Sequence, residues 1–178
     1  RSIRRQRQMC IRDRYERAAE VYQQALSLDP GFAEPWNGLG DIYRLQTQPE
    51  EAIGYYEQSL KLDSTQADAW HGLGQVHYLL SQDEEAISAF KQSLAQDETV
   101  AIVWHDLGDA HLRHAQWNEA QTAYEQAITL DNRLALPWHG LGHIYFEQEK
   151  HTEAIEAFEK AITPVSYTHL RAHETPLY

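Results

Sequence analysis

The hydrophobic pattern of this chain has two periods. The short one is helical. Trp36, Leu39, Gly40 and Tyr43 stand at i, i+3, i+4 and i+7, as do Trp70/Leu73/Gly74/His77, Trp104/Leu107/Gly108/His111 and Trp138/Leu141/Gly142/Tyr145, which is one face of an α-helix. The long period is 34 residues, the spacing between successive members of each set. Twelve residues past each of these glycines comes an alanine (Ala52, Ala86, Ala120, Ala154). Four further comes an aromatic (Tyr56, Phe90, Tyr124, Phe158), then a small residue at Ser59, Ser93, Ala127 and Ala161. This second set also shares one helical face, so each unit predicts two helices joined by a turn. A fixed period of this length marks stacked supersecondary units.

Taking the tryptophan as the fourth residue, full units run 33–66, 67–100 and 101–134, and a further one spans 135–164 in truncated form. Residues 15–32 match only a second helix, through Ala18, Tyr22, Ala25 and Asp29-Pro30. The whole pattern resembles the tetratricopeptide repeat, a helix–turn–helix unit of this length. That resemblance implies an all-α, right-handed α-solenoid of antiparallel helix pairs, about nine helices here. A glycine in a helix interior costs about 1 kcal/mol relative to alanine. Close approach of the two helices at Ala52, Ala86, Ala120 and Ala154 is the expected compensation. The four tryptophans are expected in the core, burying ~150–250 Å² each.

Residues 1–14 and 165–178 stand outside the repeat pattern. Met9 to Arg14 can be encoded by AGATGTGTATAAGAGACAG, and the reverse complement of that string translates as Val-Ser-Tyr-Thr-His-Leu, which is Val165 to Leu170. Both strings resemble a sequencing-library adapter, as do their continuations at Arg4–Gln8 and Arg171–Thr175. We therefore treat both tails as non-native, with Arg14 and Pro164 at the junctions, and leave them out of fold reasoning. The remaining stretch is expected to be an internal piece of a longer reading frame, of the kind shotgun metagenomic sequencing produces.

Removing the tails changes the charge. Residues 15–163 carry 8 basic and 25 acidic side chains, a formal balance of −17. Nucleic acid and anionic membrane both require positive surface and are disfavoured as partners. The single cysteine, Cys10, lies in a tail, so the repeat region has no thiol chemistry. No phosphate-binding glycine loop, nucleophile elbow or His-Glu-x-x-His motif occurs. Paired acids such as Glu50-Glu51 and Glu84-Glu85 fall where second helices begin, where the positive end of the helix dipole favours them. The chain is accordingly expected to be non-catalytic and to need no cofactor.

The resemblance also implies a concave groove for extended peptides, lined by the residue after each tryptophan and those four and seven further on. These are Asn37, Asp41 and Arg44; His71, Gln75 and Tyr78; His105, Asp109 and Leu112; and His139, His143 and Phe146. His77 and His111 take the place that Tyr43 and Tyr145 hold in the outer repeats and are expected to substitute for core tyrosine. His139/His143 and His105/Asp109 are spaced i, i+4, which puts two possible ligands on one helical face. Adjacent first helices lie on the order of 10 Å apart, and two ligands do not make a metal site. Chaperone-binding members of the family hold a peptide's carboxylate with lysine, asparagine and arginine. Asp41, His71, Asp109 and His139 stand there instead, favouring a basic or neutral peptide. Histidines beside acids in such a groove would also make binding respond to pH near neutrality. The function expected is a protein-binding scaffold. The alternative is the recognition arm of a larger enzyme such as a glycosyltransferase, kinase or protease. Uncovered repeat ends could also support self-association.

Overall fold

A computed structural model describes residues 2–162. Among them the chain forms nine helices and no strand: α1 (Ser2–Leu28), α2 (Ala33–Leu45), α3 (Pro49–Leu62), α4 (Ala67–Leu79), α5 (Asp83–Gln96), α6 (Ala101–Arg113), α7 (Trp117–Leu130), α8 (Ala135–Glu147) and α9 (His151–Ile162). None of these is long and apolar enough to cross a membrane. Helix α1 runs unbroken through position 14, the sequence-derived junction of the N-terminal tail. Residues 165–178, the other tail, lie outside the described residues.

The chain divides into two compact units, one ending at Glu98 and one starting at Thr99. In the first, α2 pairs with α3 and α4 with α5, while α1 packs on α2, α3 on α4 and α2 on α4. In the second, α6 pairs with α7 and α8 with α9, while α7 packs on α8 and α6 on α8. Within each unit the first helices therefore touch each other along one side.

Each first helix stops in the same way. The residue after its C-cap is left-handed, at Thr47 (φ 58°), Ser81, Ala115 and Glu149 (φ 59° each). The next N–H then reaches back to the carbonyl five residues earlier: Gln48 to Tyr43 at 3.0 Å, and Gln82 to His77, Gln116 to His111 and Lys150 to Tyr145 at 2.9 Å. This double closure satisfies carbonyls that a helix end leaves open. The second helices then begin with acids, Glu50 and Glu51 in α3 and Asp83, Glu84 and Glu85 in α5, which complement the helix dipole.

The core is organised around the second-helix aromatics. In the first unit Tyr56 is fully buried with Ala52, Leu60, Ala69, Leu73, Val76 and Ala89. In the second, Tyr124 is fully buried with Ala120, Leu141, Ile144 and Ala157. Each ring lies between two glycines. A Cβ at Gly40 would stand 2.7 Å from the Tyr56 ring, and one at Gly72, on the next first helix, would collide with the same ring. Gly108 and Gly140 confine Tyr124 in the same manner. The glycines thus make room for a flat ring, and the compensation expected at the facing alanines is found at the aromatic instead.

The tryptophans are correspondingly less central than expected. All four are only half-buried, with Trp70 and Trp138 packed on the margins of the two clusters. Their indole N–H groups explain the position, because a polar edge needs a partner. Trp36 donates to the Pro30 carbonyl at 3.2 Å, Trp70 to Ser64 at 2.9 Å and Trp138 to Asn132 at 3.2 Å, tying each first helix to the loop before it.

Two glycines test this account of the core. Gly72→Ala must displace a buried ring held on both sides, so overpacking of ~1–3 kcal/mol should outweigh the gain in helix propensity and lower stability. Gly54, in the middle of α3, has nothing within 4 Å of an added Cβ, so Gly54→Ala should raise stability by about 1 kcal/mol. Denaturant unfolding of the two variants would show shifts of opposite sign; shifts of the same sign would contradict the ring-and-glycine packing.

Candidate functional site

The loops that precede the first helices set where those helices start. Asp29, Asp63, Asp97 and Asp131 recur 34 residues apart. Asp29 accepts the N–H of Gly31 at 2.9 Å, Asp63 that of Thr65 at 2.9 Å and Asp131 that of Arg133 at 3.0 Å. Such turns close the chain locally at an aspartate. The Thr65 hydroxyl, then its N–H, hold Asp63 below the usual carboxylate range, and the N–H, then the side chain, of Arg133 do so for Asp131.

In the first unit the residues expected to line a groove stand on α2 and α4. The phenol of buried Tyr56 reaches them from beneath, donating to Asp41 Oδ1 at 2.7 Å and accepting from Arg44 Nε at 3.2 Å. Arg44 also lies 3.2 Å from Asp41 through Nη2, with the Asp41 side chain 47% and the Arg44 side chain 24% exposed. Asn37 is half-buried beside them, and its amide oxygen has no hydrogen-bond partner among the described residues. On α4, His71 rests against the Phe90 ring, centroids 5.8 Å apart, and its Nε2 meets Gln75 Nε2 at 3.1 Å. Tyr78 is half-buried on the same helix.

In the second unit the corresponding residues stand on α6 and α8. Tyr124 donates to Asp109 Oδ1 at 2.6 Å, so the aspartate is again held by a core phenol. On α8, His139 and His143 are exposed, with ring centroids 4.7 Å apart and each within 5.7 Å of the Phe158 ring. Phe146 is exposed further along the helix. The two kinds of repeat follow one rule: aspartate stands over a tyrosine (Asp41/Tyr56, Asp109/Tyr124), whereas glutamine or histidine, paired with its own histidine neighbour, stands over a phenylalanine (Gln75/Phe90, His143/Phe158).

One expectation needs correction. His105 was expected to face the groove and is instead buried, at 7% exposure. Its Nδ1 lies 3.1 Å from Asp106 and its Nε2 3.7 Å from Asp109, over the Tyr124 ring. Position 106 holds aspartate where Gly38, Gly72 and Gly140 stand in the other repeats, and its carboxylate lies against the imidazole. The surface row of histidines therefore lacks this member. Leu112 is half-buried and packs on the second core cluster. Asp41 and Asp109 are anchors for buried phenols as well as surface acids, so reversing their charge would disturb the core. His111 is buried and His77 half-buried, their Nδ1 atoms on the side-chain oxygens of Gln116 and Gln82. No group of three or more potential metal ligands occurs among the described residues.

Sequence reasoning passed over the second glycine of each pair and the tyrosine–aspartate contacts. Both had a signal, since Gly38, Gly72 and Gly140 stand in the 34-residue register and each aspartate has a tyrosine fifteen residues on.

The Tetratricopeptide repeat model matches residues 32–99 and 65–133, a second model of the same description matches 105–167, and a TPR repeat model matches 9–47. The chain belongs to the tetratricopeptide repeat family. Its fold is that of solved α-solenoids. The crystal structure of MamA is similar with a TM-score of 0.78 and 25% identity over 86% of this chain and 90% of that one. MamA from Desulfovibrio magneticus RS-1 gives a TM-score of 0.77 and 22% identity over 89% and 90%. YrrB, described as a TPR protein with an unusual peptide-binding site, gives 0.72 and 23% over 92% and 84%. No curated protein matches the chain significantly.

The burial of His105 makes a paired test. His105→Ala should cost ~1–3 kcal/mol, because a buried polar contact is lost and Asp106 is left beside a void, while exposed His139→Ala should stay within ~0.5 kcal/mol. Equal effects in chemical unfolding would mean that His105 is a surface residue after all.

The tyrosines set an alkaline limit. Burial, with help from Tyr43 and Glu51, pushes Tyr55 up to about 12, and burial with the Asp41 charge pushes Tyr56 up as well. A raised phenol favours the folded state in its neutral form, so this contribution is intact below pH 10 and is lost as pH rises from there through 12 and beyond. Circular dichroism against pH should show unfolding in that window, and Tyr56→Phe should shift it upward; unfolding complete well below pH 10 would contradict the assignment.

Proposed function

We propose that this tetratricopeptide repeat protein is a protein–protein interaction scaffold that holds an extended peptide segment, basic or neutral in character, on the groove face of its first helices. The reading rests chiefly on the anchored aspartates. Asp41 and Asp109 each give one carboxylate oxygen to a core tyrosine, while their side chains stay 47% and 36% exposed. A carboxylate fixed from below and open above is a preorganised acceptor for a peptide N–H, a lysine or an arginine. Half-buried Tyr78 and exposed Phe146 add apolar contact area of the kind that anchors peptides. The solved relative described as having a peptide-binding site lends support by fold alone. The acidic balance of the repeat region favours association with basic partners.

Asparagine is the appropriate probe, because Asp41→Asn and Asp109→Asn remove charge yet keep an acceptor for the tyrosine. Each should weaken a lysine- or arginine-containing peptide about twofold to fivefold, the size of an exposed ion pair, and added salt should shrink the difference. A peptide-array screen followed by calorimetry would measure this. Preferential capture of acidic tails, or affinities untouched by both substitutions, would place recognition elsewhere.

A further inference from the structure

The α2/α3 pair of the first full repeat carries a feature that the groove does not explain. Glu51, Gly54, Tyr55 and Gln58 stand at i, i+3, i+4 and i+7 on α3, and with Trp36 of α2 they line an open pocket of about 380 Å³. Its walls are aromatic. Tyr55 lies 6.0 Å from Trp36 between ring centroids, and is itself backed by Tyr43, stacked at 4.8 Å. Gly54 leaves the floor empty, since an added Cβ would meet nothing within 4 Å. Glu51 is exposed at the rim. The lining includes no lysine or arginine.

The fourth repeat shows what this position accepts. The residues 102 positions on are Trp138, Glu153, Glu156, Ala157 and Lys160. There the Lys160 ammonium sits over the Trp138 ring, 4.3 Å from its centroid, a cation–π contact. The first full repeat keeps the tryptophan and the acid, replaces Ala157 with a second ring at Tyr55, replaces Glu156 with Gly54, and puts neutral Gln58 where Lys160 would supply the cation. The two middle repeats keep alanine in place of that ring, at Ala89 and Ala123, and fill the floor with Ser88 and Thr122.

We propose that the Trp36–Tyr55–Glu51 pocket is a binding site for a lysine side chain from a partner protein, its ammonium over the tryptophan face and paired with Glu51, its aliphatic stem along Tyr55 above Gly54. The site lies on the α2/α3 side of the repeat and is independent of the groove reading. Quaternary or aromatic ligands would lack either the stem or the charge that the pocket matches.

The test uses the full chain, isotopically labelled, titrated with Nα-acetyl-lysine methylamide and in parallel with the norleucine analogue, which has the stem without the charge. The Trp36 indole N–H and Tyr55 ring resonances should move saturably with lysine and not with norleucine. Glu51→Gln should weaken the lysine response roughly twofold to fivefold. Gln58→Lys, which recreates the arrangement of Lys160 within the repeat, should abolish it by filling the site from inside, with helicity by circular dichroism unchanged. Equal shifts with norleucine would make the pocket merely apolar and overturn the proposal. So would a lysine response that survives Gln58→Lys, or no saturable shift at Trp36.

Discussion

One aromatic ring between two glycine backbones is the contact on which the rest of this structure depends. Tyr56 and Tyr124 are fully buried, each pressed against a glycine of its own repeat and another of the next. A flat ring in van der Waals contact on both faces leaves no freedom to tilt, and interiors this dense respond to a single added methyl. Within each unit the two first helices are therefore held apart by one ring. The cost of glycine within a helix is offset by a burial that no bulkier residue would permit.

The same ring connects the core with the surface. Its edge carries a hydroxyl that burial would leave unpaired, and an unpaired buried hydroxyl is expensive. Asp41 and Asp109 supply the acceptor, and in doing so their carboxylates acquire fixed positions on the groove face. Where the ring is phenylalanine, no such demand exists, and the surface residue is Gln75 or His143, held instead by a neighbouring histidine. Surface chemistry thus alternates with the identity of a core residue, which ties recognition to packing.

The tryptophans serve a different purpose from the one their regularity suggests. Half-buried and tethered to the preceding loop through the indole N–H, they brace the joint between repeats and leave one face near solvent. That face can then be used, as Lys160 uses Trp138. A repeat in which the intrinsic cation is missing and a second ring is added has the chemistry of a receptor for one.

The 34-residue period alone determined the helix pairs, their order and the register of the aromatic, alanine and glycine positions, because each repeat must present the same faces to its neighbours to bury them. It also placed Asp41, Gln75 and Asp109 at equivalent positions, which the structure leaves half-exposed. It did not determine which residue carried the core: tryptophan is the most conspicuous side chain in the pattern, and only tertiary packing shows that its polar edge keeps it at the margin while Tyr56 and Tyr124 go fully inside. The burial of His105 was hidden for a similar reason, since its contacts with Asp106, Asp109 and the Tyr124 ring are not read from spacing. Spacing along one helix specifies a direction; what stands in that direction, and whether it covers the side chain, is decided by the neighbouring helix.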